Sequence, residues 1–139
     1  MLKFEWTGAQ AVHVPEVDAE HQLLFELCGR LQRASTARAP LPQMRSIVQE
    51  LVTQAAVHFL HEEQEMRSAG YLHFAWHRRQ HRAALARITP LERRIQSSDG
   101  EAARELLEYL SGWLNDHIGI ADRMLGAYLR NRQRALASR

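Results

Sequence analysis

The chain carries eight histidines, and five of them, His21, His58, His77, His81 and His117, fall on helical stripes otherwise filled by apolar residues. A single histidine on such a stripe is usually a core residue with one satisfied hydrogen bond. Five on the inward faces of four helices must find partners together, because a buried imidazole without one costs free energy. Glu62 shares the stripe of His58 and adds a carboxylate. His58 and Glu62 are four residues apart, as are His77 and His81, so each pair projects from one helix face about 6 Å apart. Metal coordination uses imidazole nitrogens and carboxylate oxygens at once, and it is the chemistry this set of residues points to.

Four elements have to position these groups. From Asp18, which could cap a helix start, Leu24, Leu27, Cys28 and Leu31 recur at helical spacing, with His21 on the same face. A second helix is predicted from near Pro42, with Met44, Val48, Leu51, Ala55, His58, Glu62 and Met66 in steps of four and three. Gly70 offers a left-handed stop, and a third stripe follows as His77, His81, Ala84, Ile88, Leu91 and Ile95. Pro90 should kink this helix, since it removes a backbone bond. After the turn residues Ser97 to Gly100, a fourth stripe runs through Leu106, Leu110, Trp113 or Leu114, His117, Ala121 and Met124 or Leu125. No strand pattern of useful length and no internal repeat is visible. The prediction is all-α: an up-down-up-down four-helix bundle with an N-terminal arm.

Length and composition agree with one domain over 1–139, comprising an arm at 1–17, a bundle over about 18–130 and a basic C-terminal tail. At 139 residues, with 45% hydrophobic and 24% charged residues, the chain can bury a core without disulfides. Its single cysteine, Cys28, cannot form an internal disulfide and reads as a buried hydrophobe, which fits a cytoplasmic protein. No apolar run reaches signal-peptide or membrane-spanning length. The formal charge is only +2, and the basic run at the C-terminal end reads as a solvated helix end rather than a nucleic-acid contact.

Four runs in order carry a family resemblance: VPEVDAEHQLLFEL with His21, HFLHEE with His58 and Glu62, GYLHFAWHRRQH with His77 and His81, and WLNDHIGIAD with His117 and Asp122. Over about residues 4 to 125 they resemble bacterial hemerythrin, with all seven motif positions filled. The resemblance implies two non-haem iron ions: His77, His81 and His117 on one, His21 and His58 on the other, and Glu62 and Asp122 bridging both beside an oxo or hydroxo group. The chain departs from the family pattern at Leu72, where proline is common, at Glu20, where glutamine is frequent, and in the additional His61 and His73. None of these removes a ligand position.

On that basis the expected function is reversible binding of molecular oxygen, for transport, storage or sensing, without enzymatic activity. With six-coordinate iron, the ion held by two histidines keeps an open position, and oxygen is expected there. A histidine-rich donor set offsets less of the metal charge than a carboxylate-rich one, favouring holding oxygen over activating it. Leu114, one turn before His117, is the expected lining of a dry oxygen pocket. Trp113, Trp76, Phe25 and Phe59 read as core packing, His13 as an arm residue, and His61 and His73 as solvated. Other readings are a di-iron oxidase or peroxidase, nitric oxide binding, and structural zinc. The expected partners are oxygen and an unidentified oxygen-accepting protein, with neither nucleic acid nor membrane involved and the chain a monomer.

Because His117 and Asp122 are five residues apart, a regular α-helix would hold them about 140° out of phase. Both can face the metals only through a wider i→i+5 turn or a break at Gly119.

Overall fold

A computed structural model describes residues 2–138; positions 1 and 139 of the expected domain lie outside the described residues. Helix α1 spans Pro15–Thr36, α2 Leu41–Ala69, α3 Phe74–Gln96 and α4 Gly100–His117; a π turn at Ile118–Asp122 joins α4 to α5, Arg123–Ala137. The last three segments form one continuous rod, so the molecule is a four-helix bundle with short corners. Each helix packs on the next, and α4 closes against α1. No strand occurs among the described residues, and no helix is long and apolar enough to cross a membrane.

The predicted stripes are the core. Leu24, Leu27, Cys28 and Leu31 of α1, Val48 and Leu51 of α2, Ile88, Leu91 and Ile95 of α3, and Leu106, Leu110 and Leu114 of α4 are all buried. In the fourth stripe, burial selects Leu114 over the half-buried Trp113, and Leu125 over Met124, which is 41% exposed. Burial pushes the Cys28 thiol up to about 12, as suits a residue that acts as a small hydrophobe.

The corners follow from local chemistry. Gly70 ends α2 in the left-handed conformation (φ 63°, ψ 40°), and the Tyr71 N–H returns to the Met66 carbonyl at 2.9 Å. Asp99 caps α4 by accepting from the Glu101 N–H at 3.1 Å.

One sequence expectation is corrected. Asp18 does not start α1: Pro15, whose fixed φ suits a first helical position, starts it one turn earlier. The Asp18 carboxylate instead accepts from the Val12 and His13 N–H groups at 2.8 and 3.1 Å, which secures the arm. At Pro90, α3 runs unbroken from Phe74 to Gln96. Pro90 and Ala86, whose carbonyl loses its partner, both lie on the exposed face, where solvent takes up the missing bond.

The arm lies along the bundle. Arg123 donates to the Ala9 carbonyl at 2.8 Å, and Arg130 donates to that of Val12. Gly126 makes this approach possible: a Cβ there would sit 2.7 Å from the Val12 oxygen. Trp6 on the arm packs edge-on against Phe25, with ring centroids 5.8 Å apart.

Candidate metal centre

All seven residues singled out in the sequence converge at one level of the bundle, each between 0 and 4% exposed. Helix α1 supplies His21, α2 supplies His58 and Glu62, α3 supplies His77 and His81, and α4 with its π turn supplies His117 and Asp122. The i,i+4 spacing makes His58 and Glu62, and His77 and His81, neighbours on their own helices. The π turn does the same for His117 and Asp122: its extra residue brings the His117 Nε2 and Asp122 Oδ1 within 3.1 Å.

The seven side chains divide into two overlapping groups. One contains Glu62, His77, His81, His117 and Asp122; the other contains His21, His58, Glu62 and Asp122. Both carboxylates belong to both groups, one oxygen to each. The Asp122 Oδ1 lies 2.9 Å from the His77 Nε2, while its Oδ2 lies 3.0 Å from the His21 Nε2. The Glu62 Oε1 lies 3.0 Å from the His81 Nε2 and 3.4 Å from the His77 Nε2, while its Oε2 lies 3.4 Å from the His58 Nε2.

Of the polar atoms facing the middle, only the Nε2 atoms of His21 and His58 pair with one another, at 3.0 Å. Both oxygens of Glu62 and of Asp122, and the Nε2 atoms of His77, His81 and His117, are buried without a hydrogen-bond partner. Orphaned atoms of this kind are expensive in a protein interior. Their convergence in two sets sharing two carboxylates fits a pair of cations, so the residues present suit a dinuclear metal site.

Three histidines are held from behind. The Nδ1 of His58 lies 3.1 Å from Glu20, that of His81 3.1 Å from Glu63, and that of His117 2.8 Å from Gln80. In each case one helix supports the ligand of the next, and the supporting residue is the chain neighbour of a candidate ligand. An Nδ1–H donated outward leaves the Nε2 lone pair directed at the centre. Sequence reasoning missed these three acceptors as supports; their adjacency to motif residues was the available signal.

The charges reinforce one another. Burial pulls the His58 imidazolium down, but Glu62 and Glu20 outweigh it and hold the group up to about 10. His77 is likewise drawn down by burial and raised by Asp122 and Glu62 to about 9. Burial alone would raise both carboxyls, yet His58 beside Glu62, and His117 beside Asp122, hold them well below the carboxylate range. Desolvation dominates at His117, which is lowered. Both carboxylates are therefore ionised, and a cation bound between them would displace the protons that His58 and His77 otherwise hold.

Aromatic rings flank the cluster. Phe59 stacks on His81 with centroids 4.2 Å apart, and Trp113 stacks on His117 at 4.3 Å. Trp76 stands edge-on to His77 at 6.4 Å, and Trp6 lies 6.3 Å from His21. Three of the four rings expected as plain core thus lie against histidines of the centre, while Phe25 packs on Trp6. Leu114 is buried beside a narrow apolar cavity that Leu24, Phe59 and Trp113 also line. His13 and His73 are exposed; His61 is half exposed and holds Glu20 at 2.6 Å.

Fold and site together define a four-helix-bundle protein with a buried cluster of histidines and carboxylates suited to metal cations. The Hemerythrin HHE cation binding domain matches residues 12–129, and the chain belongs to the hemerythrin family. It is 25% identical over 130 residues to the bacteriohemerythrin of Methylococcus capsulatus, covering 93% of this chain and 98% of that one. It is 30% identical over 120 residues to that of Stenotrophomonas maltophilia, covering 85% and 76%. A crystal structure of wild-type hemerythrin aligns with a TM-score of 0.83 at 25% identity, over 90% of this chain and 96% of the other.

Proposed function

We propose that the chain holds two iron ions in this cluster and binds molecular oxygen reversibly. The observation that carries the reading is the division of each carboxylate, one oxygen toward His77, His81 and His117 and the other toward His21 and His58. His77, His81 and His117 would hold one iron, His21 and His58 the other, and Glu62 and Asp122 would bridge them beside an oxo or hydroxo group. When bound, the iron pair supplies the reversible redox chemistry with oxygen.

The chain's residues supply the rest. The His21 and His58 side offers one imidazole fewer, which leaves room for a small ligand there. Glu20, Glu63 and Gln80 orient three of the five rings. Leu114, Phe59 and Trp113 exclude water from the space beside the cluster, which slows loss of oxygen in a form that strands the metals oxidised. Five neutral imidazoles against two carboxylates favour holding oxygen over spending it. The reading is therefore a carrier or store rather than an enzyme, supported by relatives named bacteriohemerythrin.

The test is metal analysis of the fresh protein with absorption spectra through cycles of air and argon. Two irons per chain and a spectrum that recovers without added reductant are expected. Steady oxygen consumption would identify an oxidase instead, and zinc in place of iron would end the oxygen reading.

A further inference from the structure

The seven residues of the centre are at most 4% exposed, so a cation must cross a wall to reach them. Rings cover much of it: Trp6 lies against His21, Trp76 against His77, Phe59 against His81 and Trp113 against His117. These rings offer no oxygen to replace the water of a hydrated divalent cation. The polar breaks are the three acceptors behind His58, His81 and His117, and they differ. Gln80, behind His117, is neutral. Glu63, behind His81, has the Arg78 guanidinium 3.5 Å from its other oxygen, so a cation meets a positive charge there. Glu20, behind His58, opens instead onto a cleft of about 530 Å³ between α1, α2 and α5.

That cleft is lined by Glu16, Glu20, His61, Glu62 and Glu65, against a single basic residue, Arg132. Four carboxylates to one guanidinium is an acidic concentration on a chain whose formal charge is +2. Helical spacing makes the carboxylates stepping stones: Glu16 and Glu20 are one turn apart on α1, as are His61 and Glu65 on α2. Glu16 and Glu65 are exposed, the Glu20 side chain is 27% exposed, and His61 reaches its second oxygen at 2.6 Å. At the inner end Glu62 borders the cleft, 1% exposed, with both carboxylate oxygens lacking a hydrogen-bond partner. Exposed carboxylate and imidazole thus line the same cleft as a buried, unpartnered carboxylate of the centre.

We infer that this cleft is the route by which divalent metal cations reach and leave the centre, with Glu16, Glu65, His61 and Glu20 as passing ligands. Each carboxylate replaces water on the cation as it moves inward, and the acidic walls focus the cation from solution. This rests on the reading of the cluster as a metal centre, and it adds where the metal passes.

The experiment uses the iron-loaded protein, reduced without air and mixed with an excess of a ferrous chelator. Glu16→Gln with Glu65→Gln removes two cleft charges and touches none of the seven cluster residues; Glu50→Gln with Glu108→Gln removes the same charge elsewhere. With the cluster intact, a higher barrier in the cleft slows uptake and release alike. Release from the cleft variant should be about tenfold slower at low salt. The difference should shrink near 1 M salt, where screening acts over about 3 Å. The control should match the parent. Equal release rates for the cleft variant and the parent, each at full iron content, would overturn the route alone. A parent that holds no transition metal would overturn the metal reading itself, and the route with it.

Discussion

A histidine ring at this centre has two nitrogens with different duties, and the consequences of replacing one follow from both. Truncating His81 removes an Nε2 from the cluster, leaves one Glu63 oxygen without its partner and strips Phe59 of the ring it stacks on at 4.2 Å. His81→Ala should therefore lower metal content and destabilise the fold by about 3 kcal/mol, from stranded polar groups and the cavity together. Metal analysis and thermal melts check both; full metal content would remove His81 from the ligand set. On the proposed function, Leu114 would act by exclusion. Leu114→Asn places an amide beside the apolar cavity and should admit water, so the oxygenated spectrum should decay several-fold faster. An unchanged decay rate would withdraw the pocket role from Leu114.

At the scale of elements, two backbone features decide whether the side chains meet. The π turn at Ile118–Asp122 was foreseeable from the five-residue spacing, because regular helix cannot turn both groups inward. The arm depends on a contact that spacing does not reveal. An alanine at position 126 would suit the helix by up to about 1 kcal/mol, but its Cβ would meet the Val12 oxygen at 2.7 Å. Backbone cannot yield as a flexible side chain can, so Gly126→Ala should displace the arm. A net loss of about 1–3 kcal/mol is expected, the range typical of overpacking. Faster proteolysis within residues 2–14, with α1 to α4 still protected, would distinguish arm release from general unfolding.

For the whole molecule, the centre ties all four helices together at one level. Removing the metals should therefore be felt globally, since the unpartnered atoms of Glu62, His77, His81, His117 and Asp122 would remain in the core. A ligand held about a thousandfold above its Kd stabilises by ~4 kcal/mol. For a chain of this length that corresponds to roughly 10–20 °C in Tm. Chelation should lower the melting temperature by that order, and restoring iron should recover it; identical melts would mean the cluster contributes nothing to the fold when metal is bound.

The helices and their inward faces were legible in the sequence because burial repeats at helical period: every residue of the stripes from Leu24 to Leu31, from Met44 to Met66 and from His77 to Ile95 is buried. The seven cluster residues were legible because histidine and carboxylate are conspicuous on such stripes and their order matches a known motif. Pattern could not show contacts between residues far apart in the chain. That Glu20 holds both His58 and His61, that Asp18 secures the arm rather than starting α1, and that Gly126 admits Val12 are facts of approach between different segments. Local periodicity determines which face of a helix is buried. Only the packed tertiary structure decides which polar atom each buried group meets, because hydrogen bonding and close approach depend on distances that sequence separation does not encode.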